Sequence, residues 1–374
     1  MKQKVVIAVN TAWNLYNFRA GLIRALLEQG YEVVAIAPFD EYAKRLEALG
    51  CRFVPVPMSN RGTHPCRDFL LFCRFFLLLR KEKPSIFLGY TVKPNVYGSS
   101  AAHLLGIPVI NNISGLGSVF IKNGLLARLV RILYRVALSC SARVFFQNDE
   151  DREEFVSEGL VALSIADRLP GSGINLTKFA PAPLPGSSSI RFLLIARMLW
   201  DKGVGEFVEA ARLLKRRGVN AEFCLLGFMD VENPTAISRE QMNEWLAEGV
   251  VGYLGVSDSV QEEIAQADCV VLPSYREGTP RTLLEAAAMA RPIVTSDAVG
   301  CREVVDDEIN GYLCKLKDAS DLADKMERIM SMSVVKREAM GLRGREKVER
   351  EFDENIVIRK YIDAIELVRV KSLG

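Results

Sequence analysis

Two histidines, His64 and His103, in 374 residues leave little material for a histidine metal site or a His-centred triad. Eight cysteines stand at 51, 66, 73, 140, 224, 269, 301 and 314, and none forms a Cys-x-x-Cys pair. Reduced thiols packed as small hydrophobes are expected, with neither a zinc site nor a disulfide framework. Long apolar runs are missing too. Residues 5–9 are too short for a signal-peptide core. Residues 69–79, apolar except for Arg74, fall short of the roughly 20 that span a bilayer. No basic run, zinc finger or aromatic-basic interleave is present, so nucleic acid is not an expected partner. What remains is 49% hydrophobic and 25% charged, the composition of a globular protein, and the length favours two domains.

The net charge of +2 hides an asymmetry. Residues 1–180 hold 22 Lys and Arg against 14 Asp and Glu, a net of +8, while the remainder carries a net of −6. The first half therefore favours an anionic partner, such as a phosphate-rich molecule or an anionic membrane.

Short apolar runs alternate with helical periodicity along the whole chain. Strands are expected at 4–9, 32–37, 52–56, 85–89, 109–113 and 143–147, with helices at 19–28, 42–49, 66–83, 97–105 and 125–139. The Pro- and Ser-rich stretch 181–189 reads as a linker. A second series follows, with strands at 191–196, 221–226, 250–254, 269–272 and 292–295 and helices at 204–216, 258–266 and 282–289. Three helices close the chain, at 318–332, 336–351 and 354–368. Continuous apolar strands are covered on both faces, so an α/β fold of two doubly wound parallel sheets is expected, with ligands between their carboxyl ends.

The second half carries the strongest chemical signal. Residues 273–285, Pro-Ser-Tyr-Arg-Glu-Gly-Thr-Pro-Arg-Thr-Leu-Leu-Glu, follow a buried strand and open a helix. Gly278 and Pro280 shape the turn, and the helix start near Arg281 suits a diphosphate. Glu285 lies about one turn into that helix, within reach of a sugar hydroxyl, and Glu277 in the loop reaches the reacting end. Arg197 and Lys202 both follow the strand at 191–196, where a phosphate would sit; arginine clamps two oxygens and lysine adds a point charge. Each pair alone is an ordinary surface feature.

Together they resemble the retaining nucleotide-sugar glycosyltransferases of family four, which have the GT-B fold of two Rossmann-like domains facing across a cleft. That family's Arg and Lys-Gly are matched by Arg197, Lys202 and Gly203. Its E-x7-E motif, headed E-G-x-P, is matched by Glu277, Gly278, Pro280 and Glu285. Its domain-joining G-x-G-[IV]-[ND]-x-x-x-F is matched by Gly171, Gly173, Ile174, Asn175 and Phe179. The resemblance covers nearly the whole chain. It implies an acceptor domain over 1–180, a nucleotide-sugar domain over 181–352 and a last helix, 353–374, crossing back to the first domain. It further implies that Arg197 and Lys202 hold the donor diphosphate, Glu285 the ribose and Glu277 the donor sugar. Backbone amides of Thr279 and of Arg281 to Leu283 complete the site, and Tyr253 and Leu254 line the base. No metal or other cofactor is implied. The acidic triplet Asp149-Glu150-Asp151 lies away from these motifs and reads as a solvated turn.

The first half departs from the family pattern. The usual glycine pair after the first strand is replaced by residues 10–14, Asn-Thr-Ala-Trp-Asn. The usual histidine after the fourth strand is absent from residues 89–98, and His103 comes too late, as a packed or surface residue. Val92 or Lys93 stands in its place, and Pro94 biases Lys93 toward an extended conformation that projects the side chain. Residues 111–118, from Asn111 and Asn112 through Ser114 and Gly115, resemble the acceptor-side loop of relatives that extend polyprenyl-diphosphate-linked saccharides. Residues 125–137 place Arg128, Arg131 and Arg135 on one narrow helical face with an apolar face beside it, which suits an anionic membrane.

The expectation is a cytoplasmic enzyme bound peripherally to the inner face of the membrane. It would move a sugar, an N-acetylhexosamine by preference, from a UDP-sugar to a lipid-diphosphate-linked saccharide with retention. The rival readings are a transferase with a soluble acceptor, a nucleotide-sugar epimerase and an inactive sugar-nucleotide-binding subunit. The visible Glu277, Glu285, Arg197 and Lys202 set disfavours the last.

Overall fold

A computed structural model describes residues 3–59, 64–115, 125–187, 189–231 and 233–371. The apolar runs of the first half fold as β1 (Lys4–Ala8), β2 (Glu32–Ala37), β3 (Arg52–Pro55), β4 (Ile86–Tyr90), β5 (Val109–Ile113), β6 (Arg143–Phe146) and β7 (Ala166–Arg168). They form one parallel sheet in the order β3-β2-β1-β4-β5-β6-β7. The connections are α1 (Ala12–Glu28), α2 (Tyr42–Ala48), α3 (Pro65–Glu82), a π-turn Pro94–Gly98 running into α4 (Ser99–Leu104), α5 (Leu125–Leu138) and α6 (Asp149–Ser157).

The second half repeats the scheme. Strands β8 (Ile190–Ile195), β9 (Ala221–Leu226), β10 (Gly252–Tyr253), β11 (Cys269–Leu272), β12 (Ile293–Ser296) and β13 (Gly311–Cys314) lie parallel in the order β10-β9-β8-β11-β12-β13. Around them run α7 (Val204–Arg216), α8 (Arg239–Ala247), α9 (Val260–Ala265), α10 (Arg281–Ala288), α11 (Ala319–Met330) and α12 (Val334–Glu351). Each sheet reverses direction of strand addition once, between β1 and β4 and between β8 and β11. Doubly wound sheets bind ligands at the carboxyl ends beside such a switch point.

The chain divides into two compact units, one up to Ser172 together with the residues from Glu354 on, the other Gly173–Asp353. The last helix, α13 (Glu354–Lys371), is thus part of the first unit, where Val357, Tyr361, Ala364 and Ile365 are buried with Val5, Ile7 and Ile23. Gly21 of α1 permits that approach, since a Cβ there would stand 2.7 Å from the Glu354 carboxylate.

The boundary falls eight residues before the expected 180/181. Ile174 bridges to Asp353 and its amide donates to Phe352 O at 2.8 Å. Phe179 is buried in the second core, and Arg345 donates to its carbonyl at 2.8 Å. The Pro-rich stretch is likewise part of the second unit at its start. The fully buried Arg291 donates to the carbonyls of Ala182, Pro183, Ile264 and Ala265 at 2.8–3.0 Å.

Several elements differ from the expectation. Helix α1 begins at Ala12, not at 19, because Thr11 is an extended N-cap whose side chain accepts from the Asn14 amide. Such a cap is worth about 1 kcal/mol and offsets the polar first turns. Asp149, Glu150 and Asp151 are the first turn of a helix, not a solvated turn. Asn148 caps it through Asp151 N at 2.7 Å, and the acids sit at the positive end of the dipole. Five cysteines are buried, and Cys301 is pushed up to about 12 by its burial, but Cys66 and Cys140 are exposed.

Candidate active site

The two donor motifs follow β8 and β11, on either side of the second sheet's switch point. They are joined backbone to backbone. The Tyr275 amide donates to Asp201 O at 3.0 Å and Ser274 Oγ donates to the same carbonyl at 3.1 Å. Gly203 ends the Trp200–Lys202 3₁₀ turn with φ +71° and opens α7. A Cβ on it would lie 2.1 Å from Pro273 O, so the close contact of the two loops requires glycine.

This contact brings Lys202 to Glu277. Their side chains form an ion pair, both largely withdrawn from solvent, and Ser274 Oγ also stands 2.8 Å from Glu277 Oε1, its single proton shared between that carboxylate and Asp201 O. The Glu277 amide donates to Val299 O at 3.0 Å. Arg197 is exposed and has no ion pair among the described residues. The site therefore presents one open cation and one held in reserve by a carboxylate 75 positions away.

Helix α10 starts at Pro280 without a side-chain cap. The Leu283 amide, expected as a ligand contact, donates to Pro280 O at 3.1 Å and its side chain is fully buried; Leu283 is a packing residue. Glu285 is 8% exposed and accepts from Arg281 Nε at 3.1 Å. Burial raises its carboxyl above the usual range, and the Arg281 charge counters that rise only in part. Arg281 also donates to Gly173 O at 2.8 Å, fastening the domain-joining motif to the helix start.

Around β10 the Tyr253 hydroxyl donates to Gly227 O at 2.7 Å, so Tyr253 holds the turn after β9. Leu254 is exposed, as are Phe228 and Val256, and these three give the carboxyl edge an apolar patch. Ser274 and Phe228 carried no motif signal; their roles arise only from the side chain or edge they meet.

In the first unit, Lys93 is neither extended nor projecting. It is helical, with φ −69° and ψ −45°, because the chain turns at Thr91 and Pro94 occupies the first π-turn position, where its missing N–H costs nothing. Its ammonium pairs with the buried Asp68 of α3 at 2.7 Å. Thr91 has φ +61°, a strained value for a β-branched residue. Asn111 and Asn112 are buried in β5 rather than in a loop. Asn111 bonds Asn95, Ser99 and Ser141 at 2.7–2.9 Å, and Asn112 donates to the Tyr361 hydroxyl. Residues 116–118 of the expected acceptor loop lie outside the described residues. His103 is a packed residue, with Nε2 2.8 Å from Ala137 O and its pKa lowered chiefly by burial.

The basic face of α5 is partly committed. Arg131 pairs with Glu158, and Arg135 donates to the carbonyls of Glu158 and Gly159, both satisfying the end of α6. Arg128 remains exposed beside exposed Leu129, Ile132 and Val136. Among the described residues, no helix is long and apolar enough to cross a membrane and no cluster of three metal-ligating side chains occurs.

Known proteins resemble this chain. Residues 18–166 match the family profile "Glycosyl transferase 4-like domain" and residues 189–332 the profile "Glycosyl transferases group 1". The chain is 32% identical to the N,N'-diacetylbacillosaminyl-diphospho-undecaprenol alpha-1,3-N-acetylgalactosaminyltransferase of Campylobacter jejuni, covering 93% of this chain and 94% of that one. It is 26% identical to the UDP-Gal:alpha-D-GlcNAc-diphosphoundecaprenol alpha-1,3-galactosyltransferase of Escherichia coli over 75% of each. A solved Anabaena protein, HepE in complex with UDP-glucose, superposes with a TM-score of 0.79 at 14% identity, covering 97% of this chain and 99% of that one. With its two parallel sheets, its paired donor motifs and this full-length relative, the chain belongs to the family-four glycosyltransferases of GT-B fold and is a transferase.

Proposed function

We propose that the enzyme moves a sugar, by preference an N-acetylhexosamine, from a UDP-sugar to a polyprenyl-diphosphate-linked saccharide, with retention of configuration and without a metal. The observation that carries this reading is the Arg197, Lys202 and Glu277 arrangement at the second switch point. Arg197 receives the incoming diphosphate. Lys202 then exchanges Glu277 for phosphate oxygens and stabilises the charge that develops on the leaving group. Glu277, released, accepts hydroxyls of the donor sugar, while Glu285 accepts from the ribose. With no enzymic nucleophile assigned, attack on the donor's own face within the ion pair gives retention. The names of the two relatives above support the lipid-diphosphate acceptor. Lys93, held by Asp68, is proposed as a fixed cation on the acceptor side.

The test is turnover of a UDP-sugar panel with a polyprenyl-diphosphate saccharide, in buffer with EDTA and in buffer with Mg²⁺. Transfer at similar rates in both is expected. Transfer only to water-soluble acceptors would favour the rival family-four reading, and loss in EDTA with recovery in Mg²⁺ would overturn metal independence.

We further propose that the first unit docks on the anionic inner face of the cytoplasmic membrane. Helix α3 exposes Phe69, Leu70 and Leu77 beside Arg80 and Lys81, and α5 exposes Leu129, Ile132 and Val136 beside Arg128. Both helices pack on the π-turn and α4, hence on one face of the sheet. Each cation near an anionic surface is worth about 1 kcal/mol. The double change Arg80→Glu with Arg128→Glu should therefore weaken co-sedimentation with phosphatidylglycerol vesicles by a factor of about 100 or more at low salt. Arg131 and Arg135 are left intact because they hold α6. Equal binding to phosphatidylcholine vesicles, or an unchanged double variant, would reject the dock.

A further inference from the structure

Among the described residues Arg19, Arg291 and Arg337 are almost wholly buried, and they differ in how their donors are used; Arg337 donates from Nη1 to Met332 O at 3.0 Å and faces the buried Asp268 carboxylate at 3.8 Å. Arg291 gives all its buried N–H directions to four backbone carbonyls, as a structural arginine does. Arg19, in the second turn of α1 and 5% exposed, makes a single hydrogen bond, from Nη1 to Phe18 O at 3.1 Å. It has no ion pair among the described residues, and its Nε has no partner. Its guanidinium lies 4.5 Å from the centre of the Tyr90 ring.

The neighbouring groups share the deficit. The Tyr90 hydroxyl, on a residue 2% exposed, makes no well-formed hydrogen bond and interacts with the Tyr361 hydroxyl, and Asn112 Oδ1 has no hydrogen-bond partner. Tyr90 and Asn112 are register partners across β4 and β5. Tyr90 ends β4 at the first sheet's switch point, directly before the strained Thr91. Tyr361 of α13 closes the cluster, its ring 5.9 Å from that of Tyr90 and its hydroxyl accepting from Asn112 Nδ2 at 3.0 Å. If the Asn112 carboxamide turns over, the Tyr361 hydroxyl can donate to Oδ1, and the freed Nδ2 presents N–H donors in its place. The cluster then offers donors from Arg19, Tyr90 and Asn112 and one uncompensated positive charge. A buried cation without a counter-charge is costly, and a bound anion removes that cost.

We propose that Arg19, with Tyr90 and Asn112, forms a binding site for a phosphate or diphosphate anion in the first unit, separate from the donor motifs. Two sources share this chemistry, the diphosphate of a lipid-linked acceptor and free inorganic phosphate or pyrophosphate. The assignment to the acceptor rests on the function proposed above; the anion site itself does not.

The experiment is calorimetric titration of the full chain with inorganic pyrophosphate, after saturating the second unit with UDP so that Arg197 and Lys202 are occupied. Wild type should bind. Arg19→Gln should lose at least 10-fold in affinity, Arg19→Lys should retain part of it, and Tyr90→Phe, which removes only the hydroxyl, should lose severalfold. Unchanged circular dichroism and UDP affinity report that each variant is folded. A second arm compares farnesyl diphosphate with pyrophosphate. Tighter binding of the lipid, also lost in Arg19→Gln, assigns the site to the acceptor, while equal binding assigns it to the free anion. No pyrophosphate binding by wild type, or equal affinity in folded Arg19→Gln, overturns the site. Absence of sugar transfer alongside Arg19-dependent anion binding would instead remove the proposed function and leave the site standing.

Discussion

Lys202→Ala should lower turnover by 10²–10³ while the fold and its melting temperature stay close to wild type. Removing one preorganised charge from a developing anion costs about 2.7–4 kcal/mol of transition-state stabilisation, which is that factor in rate. The resting ion pair with Glu277 sharpens the expectation. The ammonium is partly withdrawn from water and fixed by a carboxylate that Ser274 also holds, so its position is set before the donor arrives. Its loss leaves Arg197 alone on the diphosphate, and the fall should appear in kcat as well as kcat/KM, because the charge it meets grows in the transition state. Steady-state kinetics with the preferred UDP-sugar checks this. Near wild-type kcat in the folded variant would take Lys202 out of the reacting set.

Gly203→Ala should abolish activity by a different route. At φ +71° an alanine costs about 1–2 kcal/mol, and its Cβ would stand 2.1 Å from Pro273 O, a contact only a main-chain shift relieves. Overpacking of this kind adds roughly 1–3 kcal/mol, so the second unit should lose roughly 2–5 kcal/mol and melt about 5–15 °C lower. The shift separates the loops that bring Lys202 to Glu277, so turnover should fall at least as far as in Lys202→Ala. Gly218 supplies the control, since it has φ +76° with nothing within 4 Å of the would-be Cβ. Gly218→Ala should show only the small backbone cost and keep full activity. If calorimetry and kinetics found Gly203→Ala no worse than Gly218→Ala, the backbone contact would not be what builds the site.

The alternation of apolar runs with amphipathic ones was legible because strands covered on both faces, such as β1 and β4, must be apolar throughout. What escaped was polar or short. Helix α6 buries little beyond Phe155 and Asp151, so its acidic start looks like a turn until Asn148 is seen capping it. Strand β7 is Ala-Asp-Arg, and β13 is four residues opened by a glycine; both are strands because a neighbour supplies the ladder. Helix α8 presents only Met242 and Trp245 to the core. In the donor site the motif residues were recognisable one by one, since a Glu-x7-Glu at a helix start and a cation after a strand have local signatures. The Leu283 contact was not, because whether an amide in the first turn is open depends on how tightly the helix closes onto Pro280.

By itself the sequence determined the two doubly wound sheets, the positions of the donor motifs after two buried strands, and the family they belong to, since these depend on local periodicity and turn chemistry. Only the tertiary structure decided which charges meet. Lys202 finds Glu277 because sheet order sets β8 beside β11 and a bare Gly203 lets their loops touch. Lys93 finds Asp68 because α3 packs on the π-turn, and Arg131 and Arg135 are drawn to the end of α6. Arg19 finds no carboxylate among the described residues. The chain order of these residues carries none of this, because an ion pair forms across the few ångströms that packing leaves, and packing joins residues that the sequence holds far apart.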